Sequence, residues 1–122
     1  MHNRGAYSKA DGLKYTYIGE WKNNVHNGTG MLIWPDGDKY EGDWKKGQKQ
    51  GNGIMIYTKG AKYIGEFKDN MEHGKGVIEY SSGEKYQGTL RLGEIHGIVK
   101  YTDNQGRVWR GEWRDGKLIR WL

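Results

Sequence analysis

A period of 23 residues governs this sequence. Tyr-x-Gly segments begin at residues 17, 40, 63 and 86, and a fifth segment, with Trp in place of Tyr, begins at residue 109. A fixed period of this length is typical of repeat proteins, in which each unit packs on its neighbours. We therefore interpret residues 1–122 as one domain. Its parts are a partial repeat at 1–16, full repeats at 17–39, 40–62, 63–85 and 86–108, and a partial repeat with a C-terminal tail at 109–122.

Each repeat contains two short segments in which apolar residues or glycine alternate with polar residues. In the first repeat, one segment carries Tyr17, Gly19 and Trp21, and the other carries Leu32 and Trp34. Alternation with a period of two predicts β-strands, and the turn residues between the segments predict hairpins. The 21 glycines recur too often for stable helices. The sequence thus predicts an all-β fold, a single elongated and twisted antiparallel meander of β-hairpins.

Strand alternation places the large rings on one face of this sheet. We expect each ring to lie over a glycine of the neighbouring strand, which offsets the cost of glycine in a sheet. A short chain cannot cover so many rings, and exposed apolar area marks an interaction site. We expect this face to bind a peptide, a helix or a second copy of the sheet. Its residues are Tyr17, Trp21, Trp34, Tyr40, Trp44, Tyr57, Tyr63, Phe67, Tyr80, Tyr86, Trp109 and Trp113.

The opposite face is predicted to carry two rows of opposite charge. We interpret these rows as exposed ion pairs that support solubility and strand register, each worth at most about 1 kcal/mol. The acidic row is Glu20, Asp43, Glu66 and Glu112, and the basic row is Lys22, Lys45, Lys68, Arg91 and Arg114.

The repeated unit, Tyr-x-Gly-(Glu/Asp)-(Trp/Phe) followed by Gly-x-Gly, resembles the MORN repeat, the "membrane occupation and recognition nexus". The resemblance spans Tyr17 to Trp113. It implies a β-hairpin solenoid without catalytic residues, which serves as a scaffold, an adaptor or a dimerisation module. Some members of the family are linked to phosphoinositide membranes and others to cytoskeletal or ciliary assemblies. The resemblance therefore implies a protein partner within a larger complex, and it leaves membrane phospholipid as an alternative.

The fourth copy departs from the pattern. Leu90 replaces the aromatic residue, Thr89 replaces the acidic residue, and Val99 stands where the other copies have their second glycine. An offset of two residues before Gly97 improves the match, which predicts a longer, reshaped turn over residues 102–106. The tail at 117–122 follows no repeat, so it is either a cap over the last edge strand or a segment that docks a partner.

The residues do not predict an enzyme, a cofactor or a metal site. Among the four histidines, His73 and His96 share a repeat position, but neighbouring repeats hold them about 10 Å apart, too far to ligate one Zn²⁺. The chain has no cysteine, and its Gly-rich segments lack the Lys-Ser/Thr of a phosphate-binding loop.

The charge distribution bears on the partner class. The net charge of +5 comes from 20 basic and 15 acidic side chains. Its sign alternates between repeats, which disfavours nucleic acid because duplex binding needs a continuous basic track. A cluster of Lys45, Lys46 and Lys49 in one hairpin connection favours an alternative function, binding to phosphoinositides or an anionic membrane surface. A mean hydropathy of -1.00 and the absence of a long apolar run exclude a membrane span. The lack of cysteine permits a reducing compartment without proving one. We expect a cytoplasmic protein, associated with the cytoskeleton or a cilium if the family resemblance extends to location.

Overall fold

The chain folds into one antiparallel sheet. The computed structural model describes the backbone of residues 3–10 and 14–122, and the side chains from residue 16 onward. In this part of the chain there are eleven strands, whose order in the sheet is their order in the sequence. They are β1 (Asn3–Ala10), β2 (Lys14–Lys22), β3 (Val25–Ile33), β4 (Lys39–Lys45), β5 (Gln48–Ile56), β6 (Lys62–Lys68), β7 (Met71–Glu79), β8 (Lys85–Arg91), β9 (Glu94–Thr102), β10 (Val108–Arg114) and β11 (Lys117–Trp121). The predicted all-β meander is confirmed.

Each repeat is one hairpin with a two-residue turn. In the first repeat, Asn23 and Asn24 connect β2 to β3 with φ angles of 51° and 66°. Two consecutive residues with positive φ form the turn whose twist matches that of paired strands, and Asn tolerates this conformation better than most residues. The connection is therefore tight, and the strands begin again immediately after it.

A row of glycines crosses the sheet and makes room for the tyrosine rings. Gly19, Gly30 and Gly42 lie opposite one another on successive strands, and the row continues through Gly53, Gly65, Gly76 and Gly88. A Cβ atom on Gly53 would lie 2.6 Å or less from atoms of the Tyr40 ring. The equivalent rings of Tyr17 and Tyr63 lie on Gly30 and Gly76 in the same way. The predicted packing of rings over glycines is confirmed.

Aromatic contacts between repeats form the core. Trp44 meets Tyr17 of the preceding repeat edge-on at 5.6 Å between ring centroids and Tyr40 of its own repeat at 5.1 Å. Phe67 repeats this arrangement one unit further along, at 4.9 Å from Tyr40 and 5.1 Å from Tyr63. Edge-to-face contacts at this range are favourable beyond the area they bury. In these repeats, the aromatic fifth residue therefore covers the tyrosine of the repeat before it.

The fourth repeat keeps the closing turn of the others, so the prediction of a longer turn is wrong. Its closing turn is held by hydrogen bonds from the Asp103 amide to the Arg107 carbonyl and from the Gly106 amide to the Asp103 carbonyl, at 2.9 and 3.0 Å. The third repeat closes with the same pattern, from Tyr80 to Glu84 and from Gly83 to Tyr80.

Side-chain replacement accommodates the unusual residues of the fourth repeat, together with a bulge between Gln87 and Thr89 that lies one residue earlier than in the third repeat. Val99 fills the place of the glycine and is 1% exposed. Its side chain takes the space that a tyrosine ring fills in the first three repeats, so Tyr86 is only half-buried. The difference therefore changes the surface of this end of the sheet while the strand register continues.

The C-terminal tail forms a strand. Residues 117–121 make up β11, which pairs with β10 and places Arg120 opposite Glu112. The tail thus covers the edge of β10, as the capping interpretation requires. Leu118, Ile119 and Trp121 stay 42–50% exposed. Docking of a partner on this strand stays a prediction.

Candidate interaction surface

The twelve residues of the predicted aromatic face divide by burial. Six are buried by the chain itself, namely Tyr17, Tyr40, Trp44, Tyr63, Phe67 and Trp113. Four are half-buried, namely Trp21, Trp34, Tyr57 and Tyr86. Tyr80 and Trp109 are 43% and 47% exposed. The buried six offer little surface to another molecule. That this face meets a partner stays a prediction, and the contact would fall mainly on the other six rings.

The three deeply buried tyrosines also satisfy their polar ends. Their hydroxyls donate to the carbonyl oxygens of Glu20, Asp43 and Glu66, at 2.7–2.8 Å. Burial raises the pKa of the Tyr40 and Tyr63 phenols far above the ordinary value. These hydroxyls are therefore fixed structural donors.

A cluster of rings lies at the C-terminal end of the aromatic face. Tyr101 lies 4.9 Å from Tyr86 and 6.1 Å from Trp121, and Trp121 lies 5.9 Å from Trp109, between ring centroids. Sequence analysis did not select Tyr101 or Trp121. The signal for Tyr101 was its repeat position, which it shares with the core residue Leu32. Trp121 lies opposite Gly111 on β10 and meets the Trp113 ring edge-on at 5.6 Å between centroids.

The three lysines proposed as lipid contacts do not form one cluster. Lys45 and Lys46 are exposed at the hairpin turn. Lys49 pairs with Trp44 across the hairpin, which returns its side chain to the aromatic face. Its ammonium lies 5.1 Å from the ring centroid of Trp34 and 5.6 Å from those of Tyr40 and Phe67. Lys49 is therefore part of the aromatic face.

A different basic site lies at the hairpin tips of the first two repeats. A cleft of about 480 Å³ is lined by Lys22, Lys45 and Lys46, together with Asn27 and Trp44. The third lysine beside Lys45 and Lys46 is therefore Lys22, and not Lys49 as the sequence interpretation proposed.

Carboxylates of the acidic row accept hydrogen bonds from backbone amides. The Asp43 carboxylate accepts a hydrogen bond from the Asn52 amide at 3.0 Å, and Glu66 accepts one from the Lys75 amide at the same distance. Each carboxylate lies where the hairpin register shifts, beside a glycine with positive φ. Within the described residues, neither has a Lys or Arg nitrogen within 4.0 Å. The ion-pair interpretation is therefore wrong for these two.

The two ends of the acidic row differ from each other. Glu20 accepts a hydrogen bond from the Thr29 amide at 3.0 Å, as Asp43 and Glu66 do in their repeats. Glu112 pairs with Arg120 of β11 at 2.9 Å. The row therefore stabilises bulges in the first three repeats and the last hairpin at its end.

Side chains after the turns hold neighbouring repeats together. The His73 Nδ1 atom accepts a hydrogen bond from the Leu92 amide at 3.3 Å, and the His96 Nδ1 atom accepts one from the Asp115 amide at 3.4 Å. Asn27 and Gln50 accept the equivalent hydrogen bonds from the amides of Lys46 and Asp69. The shared repeat position of the two histidines thus has a structural function. The residues that the structure describes contain no group of three or more His, Cys, Asp or Glu side chains placed to hold a metal.

Comparison with known proteins gives one match. A family model described as "MORN repeat" matches residues 17–39, 40–62, 63–85 and 109–118, more than half of the chain. It passes over residues 86–108, the repeat in which Thr89, Leu90 and Val99 replace the characteristic residues. A search of curated proteins found no significant match. No helix in the part of the chain that the structure describes is long and apolar enough to cross a membrane. MORN repeats are in general non-catalytic modules for protein or membrane interaction. With its period, glycine row and hairpin array, this chain belongs to the MORN-repeat family.

Proposed function

We propose that the protein is a non-enzymatic scaffold or adaptor that binds another protein through its aromatic face. In this proposal it is a small subunit of a larger cytoplasmic assembly, such as a cytoskeletal or ciliary one. The observation that carries the proposal is the ring cluster at the C-terminal end, where Trp109 and Trp121 are each 47% exposed.

The chemistry of this cluster fits a protein partner. Tryptophan and tyrosine dominate the energetics of protein interfaces because they bury a large area and lose little conformational entropy. Leu118, Ile119 and Leu122 add exposed apolar side chains at the same end. Exposed apolar side chains in such number at one end of a sheet are typical of an interaction site.

The test is a quantitative affinity purification from native cell extract with the full chain as bait. We expect a protein that is retained by the wild type and lost with the pair W109A and W121A. These rings are half-exposed, so the fold should survive, which circular dichroism and the unfolding midpoint check. The matched control is the pair I18A and I64A, two exposed apolar residues on the opposite face of the sheet. Equal recovery with the bait lacking both tryptophans would contradict the proposal.

A second candidate function is binding to an anionic lipid surface. The cleft at the hairpin tips supports it, because Lys22, Lys45 and Lys46 line one concave site. Each basic residue near an anionic membrane surface adds about 1 kcal/mol to the attraction, within a Debye length of about 8 Å.

Vesicle flotation separates the two candidate functions. If lipid is the target, the triple variant K22E, K45E and K46E should no longer float with vesicles that contain a phosphoinositide. The protein partner captured in the first experiment should still bind this variant. If the wild type does not float at physiological salt, the lipid candidate fails and the scaffold proposal is unaffected.

A further inference from the structure

One row of side chains on the aromatic face varies between repeats while its surroundings stay constant. The row is formed by the tenth residue of each repeat, which lies opposite the fifth residue across the hairpin. Its members are His26, Lys49, Glu72 and Ile95. The rings beside this row are buried or packed against the core. The row therefore supplies the differences in charge between repeats along the face.

The two charged members lie in an apolar setting. Lys49 is half-buried among the rings of Trp34, Tyr40 and Phe67. Glu72 is half-buried in the next repeat, with the Tyr57 hydroxyl donating to it at 3.5 Å, a long hydrogen bond. Desolvation lowers the pKa of Lys49 and raises the pKa of Glu72, and each charge partly offsets the shift of the other. Both groups therefore carry a desolvation cost.

Within the described residues, these two charges are not fully paired. No carboxylate oxygen lies within 4.0 Å of the Lys49 ammonium. Contacts with ring faces stabilise a cation less than a carboxylate would at a partly buried site. Equivalent positions in neighbouring repeats are two strands apart, about 10 Å. The face thus presents a cation and an anion in successive repeats.

We propose that the aromatic face binds a peptide segment of a partner protein with an acidic side chain at Lys49, a basic side chain at Glu72, and apolar side chains beyond it at Ile95. Charge complementarity selects this occupant, since a segment of this pattern would pair both half-buried charges. In an extended segment only every second side chain faces the sheet, so the acidic and basic residues would be two or four positions apart. This inference rests on the proposed function and specifies the partner that the face would bind.

The test is a selection of random peptides displayed on phage against the immobilised full chain. We expect the wild type to enrich peptides in which a basic residue separates an acidic residue from an apolar group. The doubly exchanged variant K49E and E72K should enrich the reverse order, with the acidic residue next to the apolar group. It should also bind the wild-type peptides about tenfold more weakly or worse.

Two controls make the result specific. The exchange E79K and K85E reverses another Lys and Glu pair, whose members lie 4.0 Å from each other, and should select the same peptides as the wild type. If the variant with exchanged charges does not fold, as circular dichroism would show, the pair K49M and E72Q removes the charges at similar volume. This pair should abolish the preference for charged residues.

Each outcome is decisive. Selected peptides without a charge preference that still compete with the native partner would overturn this inference and leave the proposed function standing. Peptides that bind the wild type and the exchanged variant equally would also overturn this inference and leave the proposed function standing. If no peptide binds the aromatic face, the inference is overturned, and the extract experiment then decides the proposed function separately.

Discussion

At the scale of single residues, the fold depends on what glycine lacks. The Tyr40 ring occupies the volume where a side chain on Gly53 would stand, and its hydroxyl donates to the Asp43 carbonyl at 2.8 Å. The fourth repeat shows the alternative, since Val99 fills this volume and Tyr86 is left half-buried. Tyrosine and glycine at these positions are therefore one packing unit.

A substitution in this unit tests the steric argument. Replacing Gly53 by Ala should lower the free energy of unfolding by about 1–3 kcal/mol, because the new methyl group meets the Tyr40 ring in a filled site. Urea denaturation measures the loss. In the double variant with Tyr40→Leu, the combined loss should be smaller than the sum of the two single losses, since the clash has gone. Additive losses would show that the methyl group meets something other than the ring.

At the scale of the hairpin, acidic side chains stabilise an irregularity in the ladder. In the second repeat, the residues around Gly51 bulge away from β4, and the Asp43 carboxylate accepts the Asn52 amide that the bulge exposes. A Cβ on Gly51 would lie 2.8 Å from that carboxylate oxygen. The glycine and the acid therefore act together, as the tyrosine and the other glycine do on the opposite face.

The two interpretations of the acidic row predict different stabilities. Asp43→Ala should cost about 1 kcal/mol, because the Asn52 amide loses its charged acceptor. Lys45→Ala should change the free energy of unfolding by less than about 0.5 kcal/mol, as is usual for a surface residue without a specific contact. The comparison uses chemical denaturation at low and high salt. Equal losses that both vanish in high salt would restore the ion-pair interpretation.

Sequence alone predicted the strands and the face of most rings, because alternation in segments such as Tyr40 to Trp44 directly reports the strand period. It did not predict the bulges, since a positive φ at Gly51 leaves no trace in alternation. It also misplaced Lys49. The connection was taken to extend over this residue, whereas the turn contains only Lys46 and Gly47 and β5 begins at once. The side chain therefore follows the strand to the aromatic face.

At the scale of the whole molecule, the repeats are interchangeable at their joints. Trp44 packs on Tyr17 as Phe67 packs on Tyr40. The Lys46 amide donates a hydrogen bond to the Asn27 side chain, and the Asp69 amide donates the equivalent one to Gln50. A repeat could thus be removed and its neighbours joined with equivalent contacts.

Deletion of residues 40–62 tests this equivalence. The shortened chain should fold into a β-sheet with a cooperative unfolding transition, because Phe67 would then cover Tyr17. Its free energy of unfolding should fall less steeply with denaturant concentration, since less surface is exposed on unfolding. Deletion of 22 residues inside a strand, 43–64, is the matched control. It shifts the alternation by one residue and turns Tyr40 and Phe67 to opposite faces, so this chain should not fold. Similar spectra for the two deletions would contradict the account.

The pairing of every strand with its neighbours in sequence bears on how the protein is made. Every pairing in the described sheet joins strands adjacent in the chain, and none needs a segment that is synthesised much later. Loop closure over long distances, which slows the folding of most β-proteins, is therefore small here. As the chain leaves the ribosome, each hairpin finds the edge of the previous one already formed, and the array grows in the direction of translation.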